Sequence, residues 1–565
     1  MHSRLHAPLI VSAAACALLV NLGRPALWDD DEPKNAACSL AMLDSGNWLV
    51  PTFNGRLRVE KPALANWVQM AGFGICGRNE TGARIGSALL TIGTCLLTWQ
   101  IGCRLFSSTM GPTAGFLGGL AMATCAWTAV GGRAATPDAP LVFCTTLTLW
   151  LFTRGTRGGT TGLSLAAAAG VGAACGLATL AKGPVGLVLP LASFTLFATW
   201  QTRARIMPTW VAALGGLRLP VMIGVALVVA LPWYVCVASL TEGEWLREFF
   251  VVHNVGRFAA PMEGHAGSLL YYPCVVAIGL FPWSIVLVAM VGHATAILRS
   301  GSGHPSRPGV ALLACWAVVW IGAFSCSGTK LPGYIWPAYP ALALATALFL
   351  VDWSRGTVSF TDMCRDPARA RTVVMRIAWA SLAFGGLAIG VGLPIAARLF
   401  APGNEWLGLI GLVPIAAAIV AWRHDAAGEP GRAIGALAVS ACIVVSLLAA
   451  VATPRISRGQ GMREHVTQLA AGGTGPWACF WNVPPSLVYY ADTSVAKLDT
   501  ASDAARHLAS HPQARLVIDS RHESLVRAGL PADCTVLARI PTLSDRHYVV
   551  LGPPPRPDAS LALAP

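Results

Sequence analysis

The 565-residue chain is 55% hydrophobic and only 12% charged, with a mean hydropathy of +0.58. Soluble globular proteins carry about 25% charged residues, so the composition excludes that class and points to a chain that crosses the bilayer many times. The formal net charge of +13 is no sign of nucleic-acid binding here, because the cytoplasmic loops of membrane proteins collect Lys and Arg.

Apolar runs near the roughly 17–25 residues that span a bilayer recur at 7–22, 83–104, 112–130, 139–153, 163–181, 184–200, 219–239, 270–297, 309–325, 331–350, 373–398, 405–422 and 432–452. They predict a polytopic α-helical membrane protein with about thirteen transmembrane helices, the first of them uncleaved. With the N-terminus inside, every inside loop bears arginine: Arg104; Arg154 and Arg157; Arg203, Arg205 and Arg218; Arg299 and Arg307; Arg355, Arg365, Arg369 and Arg371; Arg423 and Arg432. An odd helix count places the C-terminal tail outside.

Two outer loops are long, 23–82 and 240–269. The first opens on "LWDDDEPKNAA" and continues through "NAACSLAMLDSG" and "KPALANWVQMAGFG", amphipathic pieces suited to the interface plane. The transmembrane domain is expected over 1–453 and a small α/β domain over 454–552, where "WACFWN", "ARLVIDS", "CTVLARI" and "HYVVLG" read as strands. Residues 553–565 read as a disordered tail.

The ionisable side chains collect beside the outer loops: Asp30, Asp31, Glu32 and Lys34; Arg56, Arg58, Glu60 and Lys61; Arg133 and Asp138; Lys182; Glu242, Glu244, His253, Arg257, Glu263 and His265; and Lys330. Each cluster alone has an ordinary reading. "DDDE" is a hydrated loop in about half of such cases, "TPDAP" a helix start, and the lysines of "AKGP" and "GTKLPG" can snorkel. Charges at the edge of the hydrocarbon are costly and usually mark a site or its paired partners. Carboxylates, cations and histidines from at least five loops on one side suit an anionic, lipid-borne substrate, since cations stabilise phosphate and a carboxylate can act as a base.

The order of the motifs carries a resemblance. Asp31-Glu32 just after the first helix, "GNWLVP", Glu60-Lys61-Pro62, "TPDAP", "LAKGP", "FFVVHNVGRF", "YYPCVVAIGLFPW" and "GTKLPGYIWPAYP" resemble the polyprenyl-phosphate-sugar glycosyltransferases of the C superfold (GT-C). This group includes the bacterial lipid A aminoarabinose transferases and the protein O-mannosyltransferases. The resemblance covers roughly residues 5–350 and is strongest to the aminoarabinose branch. It implies transfer of a pentosyl or hexosyl group from an undecaprenyl-type phosphate to a hydroxyl of a glycolipid or protein acceptor. The site would lie on the extracytoplasmic face of a bacterial inner membrane.

By the same resemblance, Asp31 is the base, assisted by Asp138, with Glu32 and the other neighbouring carboxylates loading Asp31 with negative charge. Lys61 and Arg257 contact the lipid phosphate, and Lys182, Lys330, Tyr334 and Arg58 line the cavity. Glu60 with His253 or His265 would hold a divalent metal, Zn or Mg/Mn. Lys34 stands where the family often has arginine. Two rival readings are a transporter or flippase of lipid-linked or anionic solutes, disfavoured because no repeat is visible and the charges lie on one side, and an inactive assembly subunit.

Overall fold

A computed structural model of the protein describes residues 2–156, 162–202, 215–259, 267–268, 270–300, 304–358, 367–471, 475–530, 534–542 and 547–554. Arg157, Arg203, Arg205, Glu263, His265 and Arg365, and the tail expected to be disordered, fall outside these residues or nearly so.

In a bilayer the backbone must satisfy its own polar groups, which leaves helices as the spanning form for such apolar sequence. Eight helices are long and apolar enough to cross: Glu80–Leu105, Leu165–Lys182, Leu219–Leu240, Arg307–Ser325, Pro332–Arg355, Arg369–Phe400, Glu405–Ala426 and Pro430–Gly459. The shorter helices His6–Leu18, Gly111–Ala123, Asp138–Gly155, Val185–Thr202 and Leu287–Arg299 pack among them. Small residues let backbones approach: a Cβ on Gly102 would lie 2.6 Å from the Cα of Gly115.

Three of the expected apolar runs are interrupted. The run 270–297 is broken into Tyr271–Gly279, a 3₁₀ turn at Trp283–Val286 and Leu287–Arg299. Pro282, which lacks an N–H, sits at the break. The run 112–130 parts at Thr124 and Cys125, and 331–350 starts as a 3₁₀ segment, Pro332–Ala338.

The two ends of the bundle differ. At one, arginines lie over tryptophans: Arg104 and Arg154 over Trp150, Arg307 over Trp200 and Arg371 over Trp353. At the other lie the outer-loop elements. We name α1 (His6–Leu18), α2 (Asp31–Ser45), α3 (Leu64–Cys76) and α4 (Glu80–Leu105). The two amphipathic pieces of the first loop form α2 and α3. Asp31 and Glu32 open α2, where the helix dipole favours carboxylates, and Gly46, in the left-handed region at φ 67°, ends it.

Between α2 and α3 a hairpin pairs β1 (Thr52–Phe53) with β2 (Arg56–Leu57). Its Asn54-Gly55 turn has φ of 50° and 73°, the pairing that two-residue hairpins favour.

The C-terminal unit is a five-stranded sheet ordered β4-β3-β5-β7-β6, with β3 (Trp477–Phe480), β4 (Val495–Leu498), β5 (Arg515–Asp519), β6 (Thr535–Pro541) and β7 (His547–Gly552). The first three are parallel and the last two antiparallel. Helical structure of the last span runs on to Gly459, so the α/β unit starts a few residues later than expected. Its helix Pro485–Ala491 packs on α2.

Candidate active site

Aromatic side chains fix the loop that carries the site. The Asn47 side chain accepts from the N–H groups of Leu49 and Val50, turning "GNWLVP". Trp67, Trp233 and Trp245 donate their indole N–H to the carbonyls of Trp48, Leu49 and Arg58. The hairpin and these anchors deliver Arg58, Glu60 and Lys61 to the outer end of the bundle.

The site gathers around Lys61. This lysine is half-buried, and its pKa is lowered to about 8. Burial is the main cause, and the nearby cations Lys182 and Arg257 add to it against the opposing pull of Asp31 and Asp138. These residues come from five separate segments, and Asp31 is exposed at the start of α2. Asp138 begins the helix Asp138–Gly155, Lys182 ends Leu165–Lys182, and the two form an ion pair. Each sits at the helix end whose dipole suits its charge. The Lys182 ammonium also lies 4.9 Å from the centre of the Tyr334 ring.

A second group flanks the first. Lys34 bonds Glu60 at 2.5 Å, and the Arg58 Nε lies 3.4 Å from the Glu60 Oε2. Burial would raise the Glu60 carboxyl, yet Arg58 and Lys34 hold it down at about 2. Arg58 also donates to the Asn35 side chain at 2.5 Å. His253, in the π-helical segment Glu248–Gly256, has its pKa lowered by burial, with Glu60 opposing and Arg257, Lys61 and Lys34 adding to the shift.

Glu60 Oε2, ion-paired with Arg58 Nε, and His253 Nδ1 are buried and make no hydrogen bond among the described residues, which leaves both able to take a cation. No group of three His, Cys, Asp or Glu donors occurs among the described residues, so the protein would supply two ligands. His265 lies outside the described residues.

Three assignments change. Glu32 is structural. It is 5% exposed, and its carboxylate accepts from Arg84 Nε and Nη2, Trp28 N and Ala135 N. Arg84 spends its remaining N–H groups on the carbonyls of Leu22, Pro25 and Ala26. The expected charge loading of Asp31 also loses two contributors, since Glu32 faces Arg84 and the Asp29 carboxylate accepts from Ser486 N and Oγ. Lys330 is buried and donates to the carbonyls of Ser325 and Ser327. It braces the turn whose Gly328 and Thr329 N–H groups bond the carbonyls of Phe258 and Arg257. Arg84, Asn35 and the pairing of Lys34 were missed from sequence. The signal for Arg84 was a lone arginine inside an apolar helix.

Residues 60–234 match the family model described as dolichyl-phosphate-mannose-protein mannosyltransferase. The undecaprenyl phosphate-alpha-4-amino-4-deoxy-L-arabinose arabinosyl transferase of Pseudomonas paraeruginosa is 28% identical over 555 residues, covering 96% of this chain and 95% of the relative. A second transferase of that name, from Pseudomonas fluorescens, is 32% identical over 355 residues, covering 62% of this chain and 61% of the relative. The crystal structure of ArnT from Cupriavidus metallidurans bound to undecaprenyl phosphate superposes with a TM-score of 0.73 at 22% identity, covering 96% of this chain and 97% of that one. The chain shares the fold of that structure and is similar over nearly its full length to the arabinosyl transferase of Pseudomonas paraeruginosa. These likenesses are to glycosyltransferases, and the cluster around Lys61 lies on that shared fold.

Proposed function

We propose that this GT-C enzyme moves a sugar from an undecaprenyl-type phosphate to a hydroxyl of an envelope acceptor, a lipid A-like glycolipid or a protein. Its relatives are named for undecaprenyl phosphate-alpha-4-amino-4-deoxy-L-arabinose, and we take an aminoarabinosyl donor as the substrate class. One observation carries this reading: Lys61 stands within electrostatic reach of two cations, Lys182 and Arg257, and two carboxylates, Asp31 and Asp138, all from separate segments.

The reaction is a single displacement with inversion. The acceptor oxygen bonds the anomeric carbon, the bond from that carbon to the phosphate oxygen breaks, and the acceptor proton passes to the Asp31 carboxylate. The donor phosphodiester carries one negative charge, and the departing lipid phosphate gains a second. Lys61, Arg257 and Lys182 therefore bind the transition state more tightly than the ground state, which is what accelerates the step. Asp138 fixes the Lys182 ammonium, and Tyr334 supports it from the ring face. Arg58 holds Glu60 in place. Glu60 and His253 would hold a divalent ion, zinc suiting the imidazole, whose chemistry is to neutralise phosphate charge. We assign the end where arginines lie over tryptophans to the cytoplasm, and with it the site and the α/β domain to the extracytoplasmic side of a bacterial inner membrane.

The test uses the purified full chain with radiolabelled undecaprenyl-phosphate sugars, alongside mass spectrometry of membrane lipids and envelope proteins from cells with and without the chain. Label transfer and one acceptor gaining the matching sugar mass are expected. Intact donor under all conditions, with no mass gain in cells, would overturn the reading.

A further inference from the structure

A cavity of about 300 Å³ lies away from the Lys61 cluster, where the segment after α1, the end of the last span and the first helix of the α/β unit meet. Arg24, Arg455, Arg458 and Arg463 line it, against one lining carboxylate, Glu464. Arg463 pairs with Glu80 at 3.2 Å. Among the described residues, Arg24, Arg455 and Arg458 form no ion pair. Guanidiniums grouped in this way repel one another unless an anion sits among them.

A second observation is independent of charge. Ser457, in the wall of the same cavity, is 3% exposed, and its hydroxyl has no partner among the described residues.

The depth of the cavity selects the anion. The apolar stretch Pro430–Gly459 ends here, so Arg455 and Arg458 stand at the membrane boundary. Arg455 lies over the ring of Trp406, which is 47% exposed. Tryptophans of that kind mark the headgroup level. Guanidinium grips phosphate in a planar, two-pronged fashion, and basic pockets at this level recognise lipid headgroups.

We propose that this cavity binds the phosphate of an anionic phospholipid of the surrounding bilayer, held by Arg24, Arg455, Arg458 and the Ser457 hydroxyl. Arg463 belongs to the helix Met462–Ala471 of the α/β unit and donates to the carbonyl of Arg24. Occupation therefore ties that unit to the bundle.

The test uses the full chain in detergent, with phosphatidylglycerol, phosphatidylcholine or inorganic phosphate added. Phosphatidylglycerol should stay bound in native mass spectrometry and raise Tm, while phosphatidylcholine and millimolar inorganic phosphate should not. R455Q/R458Q should cut retention at least roughly 10-fold, the loss expected for charge-assisted bonds, and K61A should leave it as in the wild type. Equal retention in R455Q/R458Q overturns the proposal. So does a loss in K61A, which would put the lipid in the donor pocket, or equal stabilisation by inorganic phosphate. If the double variant does not accumulate, wild-type hydrogen exchange over residues 450–465 decides between phosphatidylglycerol and phosphatidylcholine nanodiscs. Slower exchange with phosphatidylglycerol supports the site, and equal exchange removes it.

Discussion

The first outer loop and the C-terminal α/β unit use charge in opposite ways. On the surface of the α/β unit, some arginines pair with carboxylates close by in the chain: Arg521 with Asp519, two residues away, and Arg506 with Asp503, three away. These pairs are largely solvated and hold little together. In and around the outer loop the partners are distant: Glu32 of the loop and Arg84 of α4 are 52 residues apart, Lys34 and Glu60 within the loop are 26, and Asp138 and Lys182, from two other helices, are 44. Nearby pairs decorate a surface, whereas distant ones close a fold or build a site. Within the loop a second contrast appears one residue apart. Asp31 is exposed beside the cations, and Glu32 is sealed against Arg84.

The sharpest way to break this contrast is Asp31→Asn. Sugar transfer should fall by roughly 10²–10⁴, the usual range for removing a general base, with Tm unchanged. Wild-type rates in that variant would remove Asp31 as the base. Next is Arg84→Met, which strands a buried carboxylate. It should cost about 3–5 kcal/mol of stability, read as a lower Tm and poor accumulation. A folded, inactive Arg84→Met protein would instead move Arg84 into the chemistry. Third, Lys61→Ala should lower kcat/KM for the donor by roughly 10- to 100-fold, the worth of a hydrogen bond to a charged group. Lys61→Arg should recover much of that loss if charge is what matters. The smallest effect belongs to the α/β unit: Arg521→Gln should leave Tm and turnover unchanged, and a clear drop in either would show that its nearby pairs are not mere decoration.

Much of the fold was legible because membrane helices announce themselves by apolar length alone. The errors fall where a local breaker acts inside an apolar run, as at Pro282, and where a strand lacks the usual residues, as in "SVAKL" for β4. The site was legible as a set of loops, since costly charges near the bilayer edge are few. Its internal division of labour was not. Nothing in "DDDE" separates Asp31 from Glu32, because the difference is made by Arg84, a residue of another helix. Lys330 shows the same dependence on context: its own turn supplies carbonyls that accept from its ammonium.

The tip of the small hairpin has a consequence for anyone who would redesign the molecule. Asn54 exchanges two hydrogen bonds with the main chain of Val495, of 2.9 and 2.8 Å, and the same strand end leads on to Arg58, Glu60 and Lys61. Grafting another C-terminal module onto this bundle would therefore have to reproduce one backbone edge at that spot, whatever its remaining surface looked like. The appended unit works as a jig for the loop that carries Lys61.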